Sequence, residues 1–315
     1  MKKSTIVISV IVAVVVVSMV SIIVLALGDF GEISVGDGDV IAYIPLSGSI
    51  AEDQSASLLG GGAGITPAFV REQLQFANDD PAVGAIIFKL DSGGGAVGAS
   101  QEIAEYVKDS EKPVVIFAGD MVASGAYYVS SQADKIVAKP GSLIGSIGVI
   151  SQVSDLSGLY DKLGIKMQTI KSGKHKDMFQ RTLTPEEEEK FQALSDEVYN
   201  QFVNDVARGR KLKKETVKEL ATGELFPATI AKKHGLVDVI GGYQAALDTA
   251  AKLAKIEDPI VEEYAAPTFF EEIFGAPGLY VRNLIRLKTL GGEFLLLEQL
   301  QASNGTPQYK HYGGK

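Results

Sequence analysis

The chain of 315 residues contains no cysteine. That absence removes disulfides, thiolate zinc sites, a cysteine nucleophile and the lipid-modified cysteine of a lipoprotein. It is compatible with reducing and oxidising compartments alike. Histidine is nearly as scarce: His175, His234 and His311 stand far apart without metal-ligand spacing, so no metal site is expected. Excess positive charge is missing too. A formal net charge of -9 offers no footprint for a polyanion, and nucleic acid is set aside as a partner. No G-x-S-x-G run occurs, which lowers the α/β-hydrolase reading. There is no sharp internal repeat, and no cofactor is expected.

What the chain does have begins at its start. Residues 4–28 carry no charge and are almost pure valine, isoleucine, leucine and alanine. As a helix at about 1.5 Å per residue this stretch reaches roughly 37 Å, enough to cross a bilayer. Lys2 and Lys3 precede it and Asp29 and Glu32 follow, so the positive-inside rule holds the N-terminus in the cytoplasm and the rest outside. A retained anchor is preferred to a cleaved signal, whose apolar region is shorter and ends at a small-x-small site. The expected location is the cytoplasmic membrane, single-pass, with the remaining domain on the extracytoplasmic side.

Residues 29–39 are glycine-rich and acidic, as in a flexible linker. Strands and helices then alternate over residues 40–256, which argues one α/β domain. Strands are expected at "VIAYIPLSGSI", "VGAIIFKLDSGGG", "PVVIFAG" and "IKMQTIKSG", while "KIVAKPGS" and "GSIGVI" supply further strand and turn. Thr66 with Pro67 opens one helix, and Thr184 with Pro185 and an acidic first turn opens a long one. A short helix begins near Ser124. Residues 257–315 read as an apolar but charge-interrupted arm and a mobile tail.

Chemistry centres on "ASGAYYVS". A serine hydroxyl is a poor nucleophile until a base takes its proton and donors meet the oxyanion. If a helix starts at Ser124, its first N–H groups are unpaired, and Gly125 permits close approach. The plainer alternative is that Ser124 only caps that helix. "DSGGG", residues 91–95, could present N–H groups as an anion nest, or be no more than a turn. For the base, His175, Lys174 and Lys176 in "KSGKHKD" all qualify; lysine serves in known serine mechanisms. With a reference pKa near 10.4, about one lysine in 2,500 is neutral at pH 7, a deficit of roughly 4.6 kcal/mol. Burial closes a gap of that size; full exposure does not. The bland reading of Lys171, Lys174 and Lys176 is that they solvate a loop.

These segments together resemble the signal peptide peptidase A family, the membrane-anchored Ser/Lys proteases also called protease IV. "ASGAYYVS" resembles its nucleophile segment, which implies Ser124 as nucleophile. "GSIGV" resembles the turn whose serine orients the base, implying Ser146, and "SGKHKD" the segment bearing that base, implying Lys176. "DSGGGAVGAS" resembles its strand-end glycine turn, implying the Gly95 and Gly125 N–H groups as oxyanion donors. Asp91-Ser92-Gly93 stands where the family usually has Asn-Ser-Pro, and Ala126 where a second glycine is frequent.

The resemblance covers the N-terminal span and residues 40–256. It implies a crotonase/ClpP-like fold of ββα units behind one transmembrane helix, with sites completed in a ring-like homo-oligomer. It also implies a serine endopeptidase that degrades hydrophobic peptides such as cleaved signal peptides beside the bilayer. A stomatin-type membrane protease, a crotonase-like acyl-CoA enzyme and a catalytically silent scaffold are the rival readings.

Overall fold

Three apolar runs form the centre of one sheet. β1 (Val40–Ser47), β2 (Val83–Ser92) and β3 (Val114–Ala123) pair side by side and parallel, β1 with β2 and β2 with β3. They are rich in valine and isoleucine because helices cover a parallel sheet and bury such strands on both faces. The computed structural model describes residues 38–53 and 64–264, all within one compact unit. The expected membrane span at 4–28, most of the linker at 29–39 and the arm from residue 265 lie outside the described residues.

The sheet widens unequally. On its far edge β3 takes two neighbours in succession: β4 (Lys135–Ala138) lies along Val115 to Ala118, and β5 (Leu143–Gly145) along Met121 to Ala123. β4 pairs onward with β7 (Val239–Ile240), and β5 with β6 (Leu225–Pro227), the latter antiparallel. At the other edge β8 (Ile260–Glu263) runs parallel to β1. β8 lies beyond residue 256, where the sequence reading ends the α/β domain, so the first residues of the expected arm complete the sheet. Val261 and Tyr264 are buried there, and the Tyr264 N–H donates to the Tyr43 carbonyl at 2.8 Å.

Helices follow the pattern of their caps. α1 (Pro67–Asp79) has Thr66 as N-cap, its hydroxyl accepting from the Phe69 N–H at 3.2 Å. α2 (Val97–Lys108) and the short α3 (Gly125–Ser130) follow β2 and β3 and pack on each other. After α4 (Ser157–Lys162), the long α5 (Pro185–Gly209) starts with a full capping box between Thr184 and Glu187. α6 (Lys214–Leu220), α7 (Ala228–Lys233) and α8 (Tyr243–Ala254) complete the set. Ala246, Leu247, Ala250 and Ala251 of α8 lie against Ile41, Ala85, Ile87, Val115 and Phe117, one face of the central strands. The alternate residues Ile86, Phe88 and Leu90 point to the opposite face and are equally buried.

One strand expected from sequence is absent. Residues 165–170 form no strand, and Ile165, Met167 and Ile170 are exposed. The apolar run reads as a strand locally, but no sheet edge of the described residues receives it.

Candidate active site

The carboxyl ends of β2 and β3 sit side by side, the place where open α/β sheets bind ligands. β2 ends at Ser92 and turns through Gly93 to Gly95; β3 ends at Ala123 and delivers Ser124. Ser92 tightens its turn by accepting the Gly94 N–H at 3.0 Å. Gly94 takes a φ of 97°, and a Cβ on it would stand 2.6 Å from the Gly125 nitrogen and 2.9 Å from the Ser124 Cβ. The two turns are therefore in contact, and only glycine fits between them.

Ser124 has a φ of 51° and a ψ of -124°. A non-glycine residue there costs about 1–3 kcal/mol and persists only where its surroundings impose it. Here they do: its N–H donates to the Gly145 carbonyl at 2.8 Å and its carbonyl accepts the Tyr128 N–H at 2.9 Å. Ser124 occupies the N-cap position of α3, yet its side chain makes no cap hydrogen bond. The plain capping role is thus not what holds it. The conformation instead presents a hydroxyl with no partner among the described residues.

Two backbone donors stand beside that hydroxyl. Among the described residues neither the Gly95 N–H nor the Gly125 N–H has an acceptor. A Cβ on Gly125 would lie 3.3 Å from the Gly95 nitrogen, which puts the two donors on one small patch. Gly95 is pressed there by the chain next to it: a Cβ would meet the Ile50 carbonyl oxygen at 1.9 Å. Ile50 binds both sides of the turn, its N–H to Gly94 at 3.0 Å and its carbonyl to the Ala96 N–H at 2.9 Å.

Ser146 reaches the same end by a different strand. The β3/β5 register pairs Ala123 with Gly145, so Ser124 and Ser146 are the next residues on neighbouring strands. Ser146 also has a positive φ, 48°, held by its N–H donating to the Glu224 carbonyl at 2.7 Å. Its hydroxyl has no partner among the described residues either.

A cavity of about 100 Å³ opens over Ser124. Val97, Tyr128, Val149, Ile150, Val198 and Phe202 give it an apolar lining, and Gly95, Ser124 and Gly125 form its reactive side. Tyr128 and Phe202 meet edge to face at 5.1 Å. The Tyr128 hydroxyl donates to Asp205, and burial together with that carboxylate pushes it well above the ordinary tyrosine range. Val198, Phe202 and Asp205 all belong to α5. Read from sequence, α5 is marked at its start by Thr184 and Pro185, and its side chains are given no part in the site.

The lysines lie elsewhere in the chain. Lys176 is exposed on the segment before α5 and does not line the cavity. The basic residues around it are nonetheless sorted. Lys171 pairs with Asp177 at 2.6 Å, Lys174 with Glu186, His175 with Glu187 at 3.0 Å, and Arg181 with Asp177 at 3.0 Å and Glu187 at 2.9 Å. Lys174 and then Lys190 hold the Glu186 carboxyl down at about 2. Arg181 and then Lys171 do the same to Asp177, also at about 2. Among the described residues the amine of Lys176 alone in this run is paired with nothing. Of the three candidate bases left open by sequence, two are therefore tied to carboxylates.

No group of three or more His, Asp or Glu among the described residues could hold a metal ion. What the site defines is a serine on a strained turn, backed by convergent backbone donors and an apolar cleft, the parts needed for acyl transfer by a nucleophilic serine.

Comparison with known proteins is consistent with that class. The family model "Peptidase family S49" matches residues 106–257. A candidate protease of Methanocaldococcus jannaschii is 37% identical over 237 residues, covering 72% of this chain and 75% of its own length. A candidate signal peptide peptidase of Enterococcus faecium is 39% identical over 201 residues, 62% of this chain and 58% of its own. The chain thus belongs to peptidase family S49, the serine peptidases that include signal peptide peptidase A and protease 4. It spans little more than half the length of the Enterococcus relative. Among solved structures, a membrane-bound stomatin-specific protease in complex with a substrate peptide shares the fold, with a TM-score of 0.50 at 17% identity over 78% of this chain and 99% of that one. That protease was solved as a serine-to-alanine variant and as a lysine-to-alanine variant.

Proposed function

We propose that the protein is a membrane-anchored serine endopeptidase in which Ser124 attacks a peptide carbonyl and Lys176 is the general base. The observation that carries this reading is the strained Ser124, its hydroxyl unpaired beside the unclaimed N–H groups of Gly95 and Gly125. In the first step the neutral Lys176 amine takes the Ser124 proton, Oγ bonds to the carbonyl carbon, and the two N–H groups meet the oxyanion. The ammonium then protonates the leaving amine, and water, activated in the same way, releases the acyl-enzyme. Ser146, one residue past β5 and next to Ser124 in register, is suited to hold the amine by a hydrogen bond.

Lys176 is exposed in a single copy of the chain and does not line the cavity over Ser124, whereas a lysine base needs burial. The dry enclosure therefore comes from a second copy of the chain in a homo-oligomer. Ile150, Met167, Ile170 and Phe179 stand 65–92% exposed around the cavity mouth and along the lysine-bearing segment. Such an apolar surface is what a subunit contact covers. Substrates are hydrophobic peptides such as cleaved signal peptides, whose apolar side chains fit the small cavity, and the span at 4–28 tethers the domain on the extracytoplasmic face of the cytoplasmic membrane. The fold assigned is the crotonase/ClpP-like one, supported by the way β3 feeds two neighbouring strands along one edge. No cofactor enters the reaction.

Full-length protein in detergent or bilayer, assayed at neutral pH on an apolar fluorogenic peptide, tests the reading. S124A and K176A lose about 10³-fold or more in kcat while K174A stays within a few fold, and a serine-directed phosphonate labels Ser124 in the parent. Retained peptidase activity in K176A would sink the dyad.

A further inference from the structure

Glu187 is the most enclosed charge near the candidate base, with its side chain 2% exposed. Its two oxygens receive a dense set of donors. Oε2 accepts the Thr184 N–H at 3.0 Å, the Thr184 hydroxyl at 3.0 Å and Arg181 Nη1 at 2.9 Å. Oε1 accepts Arg181 Nη2 at 2.9 Å and lies 3.0 Å from His175 Nδ1. A capping box needs only the Thr184 contacts. The remaining contacts tie the helix start to residues before it, and a buried carboxylate gripped by a guanidinium fork and a histidine ring makes a rigid joint.

The tied residues flank Lys176 on both sides. His175 is held to Glu187 directly. Asp177 is held through Arg181, which donates Nη2 to Asp177 at 3.0 Å and Nε at 3.2 Å while gripping Glu187 with both Nη groups. Between them the Lys176 N–H closes a turn on the Gly173 carbonyl at 3.3 Å, and its amine is left free. Fixed neighbours with one free side chain between them is the arrangement that carries a group to a site outside the loop.

We propose that Glu187 is the positioning residue of the base-bearing loop: through His175 and Arg181 it fixes the backbone on either side of Lys176 and so sets where the amine is delivered. This rests on the reading of Lys176 as base. Glu187 and Arg181 do not line the cavity, so their loss leaves substrate contacts intact. A misplacement of about 1 Å at a general base costs on the order of a hundredfold in rate.

The test compares K176A, E187Q and R181M in the full-length, assembled protein on the same apolar peptide. E187Q keeps an oxygen for the Thr184 N–H, so the helix cap survives, while the charge is removed and an amide donor replaces the oxygen that accepts from Arg181 Nη2. R181M leaves the capping box whole and removes the bridge, and is read if E187Q does not assemble. The expected result is a kcat lowered about tenfold or more with KM within about twofold. Both variants stay folded at the assay temperature with the parental oligomer size, K176A is inactive, and phosphonate labelling of Ser124 slows in step with kcat. If K176A is inactive while E187Q and R181M turn over at the parental kcat, the positioning role falls and the dyad stands. The positioning role falls equally if their kcat drops only in step with the fraction of folded, assembled protein at the assay temperature. If K176A is active, the dyad falls and this inference with it.

Discussion

Strain at Ser124 is a cost that glycine would not bear. Replacement by glycine relieves about 1–3 kcal/mol of backbone strain and gives back about 0.5–1 kcal/mol through a more flexible unfolded chain. S124G is expected to be about 1 kcal/mol more stable than S124A, because alanine keeps the strain and loses only the hydroxyl; urea unfolding of the two inactive variants measures it. Equal stabilities would mean that the turn is not strained in solution. Gly125 is constrained by a softer neighbour: a Cβ there meets the Ser100 hydroxyl at 2.3 Å and the Ser100 Cβ at 3.2 Å. G125A therefore destabilises by about 1–3 kcal/mol, and adding S100A recovers part of it. At Gly95 no such recovery is available, because the obstacle is the Ile50 backbone.

Among the elements, the segment before α5 is the one whose integrity depends on charge. Arg181, then the Thr184 N–H and His175, depress the Glu187 carboxyl well below the usual range, and Asp177 and Glu186 are held at about 2. Carboxylates with depressed values stabilise the fold above their unfolded pKa, near 4, and that contribution is lost as pH falls towards 2. The parent's thermal midpoint should therefore fall more steeply between pH 5 and pH 2 than that of R181M, in which the main depressing partner of Glu187 and Asp177 is gone. Parallel curves would show that the ion pairs do not contribute in solution. At the other end of α5 the prediction is about packing. Phe202 is buried against Tyr128, so F202A costs about 3–5 kcal/mol and opens the cavity. A shift of cleavage preference towards larger apolar side chains is the activity signature.

At the scale of the whole molecule, Lys176 is exposed outside the cavity that holds Ser124, and Ile150, Met167, Ile170 and Phe179 lack cover. I170E or M167E should convert the proposed homo-oligomer to monomers in sedimentation and abolish peptidase activity, although neither residue lines the cavity over Ser124. Activity retained in a monodisperse monomer would rule out completion of the site by a second copy. The same scale explains the role of β8. By pairing with β1 it covers the edge of the central strands, and trimming the chain before Ile260 should expose that edge and promote aggregation.

Local chemistry made much of this legible. Unbroken valine and isoleucine runs marked the central strands, Thr66-Pro67 and Thr184-Pro185 marked two helix starts, and the Ser-Gly and Gly-Gly-Gly turns marked the residues that meet at the sheet end. Each of those signals is complete within a few residues. The run at 165–170 misled for the same reason: it has the pattern of a strand, but a strand also needs an edge to pair with.

Sequence by itself determined the alternation of strands and helices, the capped long helix, the strand-end turns and a short roster of candidate groups, because these depend on periodicity and on conformational preferences of neighbouring residues. Tertiary structure alone decided that Ile50 presses Gly95 against Gly125, that α5 walls the cavity with Val198 and Phe202, and that Asp177, Glu186 and Glu187 claim every basic side chain around Lys176 but its own. Those outcomes are contacts between segments far apart in the chain, and which cation a carboxylate takes is settled only by where folding puts them.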